Sequence, residues 1–88
     1  MSEDEIRRTI VGFFQEHRIL KEAKDEDDIF DLGVSSLAVV EMQISIEQAL
    51  DVTVSTGDLM RAPTVNGWVA LYKNELQERA AARSAVAS

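Results

Sequence analysis

The apolar positions of this chain fall into three runs with helical spacing, separated by stretches that lack it. In the first run Ile6, Ile10 and Phe13 recur at intervals of three and four, flanked by Val11 and Phe14. Arg7, Arg8 and Glu16 take the outer side. That spacing gathers one apolar stripe and predicts a helix from Glu3 to His17. Ser2 followed by Glu5 has the form of a capping box, and the acids of the first turn suit the helix dipole. Gly12 weakens the run slightly.

The second run predicts a helix from Ser36 to Leu50. At about 100° per residue, Val39, Met42, Ile46 and Leu50 lie within roughly 80° of one another and make a core stripe. Leu37, Val40 and Ile44 fall on a different side, near Ser36, with Glu41, Glu47 and Gln48 among or beside them. A small bundle does not easily bury two faces of one helix. Either the preceding loop folds over this second stripe, or the stripe is an exposed apolar surface rimmed by acids, the form a docking surface takes.

The third run starts at Pro63-Thr64, with Thr64 as cap and Val65, Trp68, Val69, Tyr72 and Leu76 as its stripe. Between the first two helices, from about Arg18 to Ser35, runs a long connection whose middle, Lys21 to Asp28, is charged and unpatterned. Loops of this length are uncommon in compact domains and often functional. Leu20, Ile29, Phe30 and Leu32 are candidates to pin it to the core, leaving Asp25, Glu26, Asp27 and Asp28 in water. Asp51-Val52-Thr53-Val54 predicts an extended interval through its β-branched residues. A short helix follows over Thr56–Met60, capped by Thr56. From Arg79 to Ser88 the chain is rich in Ala and Ser, has little to bury and is expected to fray. The predicted fold is an all-α four-helix bundle, three main helices and one short, in a domain over residues 1–78 with a flexible tail over 79–88.

Composition narrows the function classes. Eighty-eight residues make one small domain, 45% hydrophobic, with no cysteine for disulfides or thiolate metal sites. No apolar stretch approaches the roughly 20 residues of a membrane span, and the acidic N-terminus is the opposite of a secretory signal. A cytoplasmic monomer without a membrane partner is expected. The net charge of −7 repels nucleic-acid phosphates. It suits partners with basic patches, or it serves only to keep the domain soluble.

Catalytic constellations are missing from the pattern. His17, the one histidine, ends the first helix, where the dipole favours it. Ser35 and Ser36 have no His or Lys nearby in sequence to activate them. The glycines form no phosphate-cradling motif, and the acidic run has no calcium-loop spacing. The chain is therefore not expected to be an enzyme. Ser36 remains as a candidate. It sits at a helix N-terminus, where amides are unpaired and the dipole favours an anion, with Gly33 permitting a tight turn just before it. A Ser-Ser pair there is either a plain N-cap or a substrate for another enzyme, an attachment point for a phosphate-containing arm.

Asp31-Leu32-Gly33-Val34-Ser35-Ser36-Leu37 resembles the attachment motif of acyl and peptidyl carrier proteins, Asp/Glu-Leu-Gly-x-x-Ser-Leu. The likeness spans about Glu3 to Leu76 and includes the helix order. Arg61-Ala62-Pro63-Thr64-Val65 resembles the entry to the last helix in modular polyketide and peptide synthase carriers. The resemblance implies that a phosphopantetheinyl transferase moves 4′-phosphopantetheine from coenzyme A onto Ser36, and that the arm's thiol then holds acyl or aminoacyl groups as thioesters. It implies a loading ligase or transferase, and downstream synthase, condensation or tailoring enzymes, as partners. It also implies that Leu37, Val40, Glu41, Ile44 and Glu47 face those partners. Ser35 stands where fatty-acid carriers have Asp and peptidyl carriers often His, and Ala38 and Gln48 are neutral. The departures point away from a housekeeping fatty-acid carrier and toward a discrete carrier of polyketide, nonribosomal peptide or related aminoacyl-transfer biosynthesis. The alternatives are a non-catalytic helical interaction module using the same stripe and a housekeeping fatty-acid carrier, and a domain excised from a synthase fits the pattern as well as a discrete protein does.

Overall fold

Four α-helices form, α1 over Glu3–Glu16, α2 over Ser36–Leu50, α3 over Thr56–Arg61 and α4 over Val65–Ala87, with one 3₁₀ turn at Arg18–Leu20. The structure is a computed structural model that describes residues 2–87, and side-chain surroundings for residues 2–82. There is no strand among the described residues. α1 lies against both α2 and α4, and α3 bridges α2 and α4. The result is the small helical bundle that the periodicity predicts.

Each helix starts where its sequence supplies a cap. Ser2 accepts from the Glu5 amide at 3.2 Å while the Glu5 carboxylate reaches back to Ser2, a complete capping box. Ser35 caps α2, accepting from the Ala38 amide. Thr64 Oγ1 accepts from the Gly67 amide at 2.8 Å. The expected Thr56 cap is replaced by Ser55, whose Oγ accepts from the Asp58 amide. That frees the Thr56 hydroxyl for a different bond, described below.

The core holds the predicted stripes. Ile6, Ile10 and Phe14 of α1, Val39, Met42, Ile46 and Leu50 of α2, and Val65, Trp68, Val69 and Tyr72 of α4 are buried. Phe14 meets Trp68 edge-to-face, centroids 5.0 Å apart, an arrangement that adds about 0.5–1.5 kcal/mol beyond area burial. Trp68 Nε1 donates to the Leu59 carbonyl at 3.1 Å, so the indole's polar edge is satisfied inside the core and fixes α3 against α4. Phe13, expected in the α1 stripe, is only partly buried, and Phe14 takes the fully buried position.

Two further expectations are corrected. Asp51 is not extended. It sits in the left-handed region (φ 53, ψ 47) as the C-cap of α2, its amide donating to the Glu47 carbonyl, a conformation its short polar side chain tolerates. Leu32 does not pin the loop. It is 38% exposed, and Val34 takes the buried place at 5%. Beyond Leu76, where the apolar stripe stops, the backbone stays helical to Ala87, because Gln77 to Ala82 is composed of strong helix formers. Arg79 there donates to the Asp51 carbonyl, tying α4 to the end of α2.

Candidate functional site

The long connection is held down at several points before it reaches Ser36. One Arg7 nitrogen donates to Asp25 at 2.8 Å and to Asn66 at 2.7 Å, and the Asn66 amide donates to the Asp25 carbonyl. The Ile29 amide donates to the Pro63 carbonyl at 2.9 Å with the Ile29 side chain buried. Asp27 accepts from the Lys24 amide, and Asp28 from the Phe30 and Asp31 amides. The acidic run is therefore not simply solvated. Asp25, Asp27 and Asp28 spend carboxylate oxygens fixing the loop, Asp28 as an Asx turn onto the Phe30 amide.

Residues 29–35 then make a compact turn onto α2. The amides of Leu32 and Val34 both reach the Ile29 carbonyl, and the Gly33 amide reaches that of Phe30. Gly33 has φ +100, a backbone state that side-chain-bearing residues rarely adopt. Val34 is buried and anchors the turn, while Asp31 and Leu32 face outward.

The two serines have different jobs. Ser35 is the cap. Its Oγ accepts from the Ala38 amide at 3.2 Å and its carbonyl accepts from the Val39 amide at 3.2 Å. Ser36 is the first helical residue and exposed, with no hydrogen bond to its hydroxyl among the described residues. Its amide and that of Leu37 also have no partner among the described residues. Two unpaired N–H groups at the positive end of a helix fit a phosphate-type anion on the adjacent hydroxyl, by donor set and by dipole.

Along α2, the second apolar stripe is not covered by the loop. Leu37 is 68% exposed and Ile44 52%. Glu41 is exposed beside them, and Val40 is half-buried. Glu47 does not join them. Its Oε2 accepts from Gln43 Nε2 and the Val54 amide, both at 3.0 Å, and from the Tyr72 hydroxyl at 3.3 Å, so the carboxylate points at α4 and the α2–α3 connection. Burial, and after it the Glu47 carboxylate, pushes the Tyr72 hydroxyl above its ordinary pKa.

Sequence reasoning missed Gln43, which is 7% exposed. Its position, four after Val39 and three before Ile46, puts it in the core stripe, and that register was the available signal. His17 closes α1 with its backbone extended, and its Nδ1 is buried without a hydrogen-bond partner among the described residues. A groove of about 390 Å³ lies at the far end of α2, with Glu3, Leu50, Asp51, Lys73 and Arg79 in its walls. Its charges are already paired, Glu3 with Lys73 at 2.9 Å and Asp51 with Arg79 at 3.8 Å. No helix among the described residues is long and apolar enough to cross a membrane.

In a comparison with protein-family models, residues 16–72, more than half of the chain, match the model described as a phosphopantetheine attachment site. Searches of curated proteins and of solved structures gave no significant match.

Proposed function

Since the chain belongs to the phosphopantetheine attachment-site family of acyl and peptidyl carrier proteins, whose domains hold a covalent 4′-phosphopantetheine, we propose that Ser36 is the residue that bears it. The observation that carries this reading is the division of labour at the start of α2. Ser35 Oγ is committed to the Ala38 amide, whereas the Ser36 hydroxyl is exposed and uncommitted among the described residues. In the transfer, Ser36 Oγ forms the new phosphorus–oxygen bond, the pyrophosphate link of coenzyme A breaks, and 3′,5′-adenosine diphosphate leaves. The hydroxyl proton passes to a base on the transferase. The chain's own contribution is orientation and charge. The turn held by Gly33 and Val34 presents the hydroxyl outward, and the amides of Ser36 and Leu37 favour the resulting phosphodiester by about 0.3–1 kcal/mol.

The bound arm supplies a thiol on which cargo rides as a thioester, in a protein that has no cysteine. We read the chain as a carrier in a specialised route, polyketide, nonribosomal peptide or related aminoacyl transfer, because Ser35 stands where fatty-acid carriers have Asp and the neutral Ala38 and Gln48 leave this helix with fewer acids than theirs. Its partners are then a phosphopantetheinyl transferase, a loading enzyme and downstream enzymes, met in the cytoplasm. Leu37, Val40, Glu41 and Ile44 form the docking face. Glu47 is left out of it, since its carboxylate is already bound.

The test is intact mass after incubation with coenzyme A and a broad-specificity transferase. Wild type gains one arm and Ser36→Ala gains none. An unmodified wild type, or a modified Ser36→Ala, ends the reading.

A further inference from the structure

The corner where α3 gives way to α4 carries a chemistry that arm attachment does not use. Asn66 is one of two asparagines in the chain and the one followed by glycine. Asparagine is thermolabile, and most so before glycine, which has no Cβ to shield its own backbone nitrogen. The corner demands that glycine. A Cβ on Gly67 would lie 2.6 Å from the Ala62 carbonyl oxygen. It also uses the asparagine. Asn66 Oδ1 accepts at 2.7 Å from the Arg7 nitrogen that holds Asp25, and the Asn66 amide donates to the Asp25 carbonyl at 3.1 Å. Close packing and the Arg7 clasp therefore place a reactive pair side by side on an exposed turn.

We propose that Asn66 is a site of spontaneous deamidation, closed in the folded protein by the cap of α4, and that its modification loosens the loop leading to Ser36. In the reaction, solvent base takes the Gly67 N–H proton and the nitrogen forms a bond to Asn66 Cγ. The carboxamide nitrogen takes a proton from water and leaves as ammonia, closing a succinimide. Water then opens the ring at either carbonyl, giving aspartate or isoaspartate. The fold opposes the first step twice. The Gly67 N–H donates to Thr64 Oγ1 at 2.8 Å, so the attacking nitrogen keeps its proton. Both residues lie in the first turn of α4, where helical ψ holds that nitrogen away from Cγ. Reaction waits for the start of the helix to open. The products then act on the loop. Isoaspartate lengthens the main chain by a methylene between the Asn66 and Gly67 amides, so the bonds to Asp25 and Thr64 no longer fit together. Aspartate sets a second carboxylate beside Asp25 on one Arg7 nitrogen. The next tie of the loop, from the Ile29 amide to the Pro63 carbonyl, belongs to the same corner.

The experiment ages the full chain in warm, mildly alkaline buffer, folded or in guanidinium chloride, and follows Asn66 by peptide mapping. Asn74, shielded by the side chain of Glu75, is the internal reference. In denaturant Asn66 should react well ahead of Asn74. In the folded protein it should react at least about tenfold more slowly than in denaturant. Thr64→Ala, shown by circular dichroism to remain helical, should react at least about threefold faster than folded wild type. The isoaspartate form, separated by its added charge, should exchange the Ile29 amide faster than the unmodified protein. Folded Asn66 reacting as fast as in denaturant, a helical Thr64→Ala no faster than wild type, or unchanged exchange at Ile29 overturns the proposal.

Discussion

Glu47 and Glu41 lie on the same helix less than two turns apart, and replacing each by alanine should have unequal consequences. Glu47 is half-buried, and one of its oxygens accepts from the Val54 amide, Gln43 and the Tyr72 hydroxyl. Alanine at this position leaves Gln43 with its bond to the Val54 carbonyl but strips the Val54 N–H and the buried phenol of their partner. Bonds to a charged group contribute about 1.5–3 kcal/mol each when fully buried. Partial exposure lets water replace some of that, so about 1 kcal/mol for each of the three bonds is a fair scale. The better helix propensity of alanine returns a few tenths of a kcal/mol. The net loss is about 2.5 kcal/mol, or about 10–20 °C in Tm for a domain of this size. Glu41 is exposed, and its carboxylate makes no hydrogen bond among the described residues. Glu41→Ala should stay within about 0.5 kcal/mol of wild type. Urea and thermal unfolding followed by Trp68 fluorescence read both variants. If Glu47→Ala and Glu41→Ala unfold within about 0.5 kcal/mol of each other, the inward role assigned to Glu47 is wrong.

Further outcomes follow from local geometry. Tyr72 is the sole tyrosine, and its folded-state pKa is raised by burial and by Glu47. Its contribution to stability is thus complete below the unfolded value of about 10 and is lost as pH rises above it. Phenolate absorbance should appear only together with unfolding in an alkaline titration, and near pH 10 in denaturant; a phenolate forming near pH 10 in the folded protein would contradict this. A Cβ on Gly67 would lie 2.6 Å from the Ala62 carbonyl oxygen, whereas one on Gly12 meets nothing within 4 Å. Gly67→Ala should therefore destabilise by about 1–3 kcal/mol, and Gly12→Ala should stabilise by about 0.5–1 kcal/mol, with denaturant midpoints as the check. Glu41→Lys should slow loading by a partner enzyme about tenfold at low salt, with the deficit shrinking as salt is added. Unchanged loading kinetics would remove Glu41 from the docking face.

Most of the fold is legible in the sequence because local signals and burial agree. The Ser36–Leu50 stripe, the Ser2–Glu5 box and the Thr64 cap each state a helix start or a core face, and each appears where expected. The misreadings occur where tertiary contact decides. Gln43 and Glu47 look like surface residues by type; register alone hints at Gln43, and the partners that hold both inward, Val54, Thr56 and Tyr72, come from elsewhere in the chain. Asp28 and Asp25 look solvated until the loop's own amides and Arg7 are seen to need them. Thr56 and Ser55 are equally good caps by type. Ser55 takes the cap, and the Thr56 hydroxyl donates to Gln43 instead. At the candidate site, the spacing of the motif from Asp31 to Leu37 already singles out Ser36 over its neighbour, and the backbone adds that Ser35 is the cap before the helix and Ser36 the first residue within it.

That separation also identifies the most direct test. The protein loaded from coenzyme A is digested, and the peptide spanning Asp31 to Glu41 is fragmented to locate the added mass. The arm is expected on Ser36 in every modified molecule, with Ser35→Ala still loaded and only its helix cap weakened. An arm found on Ser35, or loading abolished by Ser35→Ala in a protein that remains folded, contradicts it.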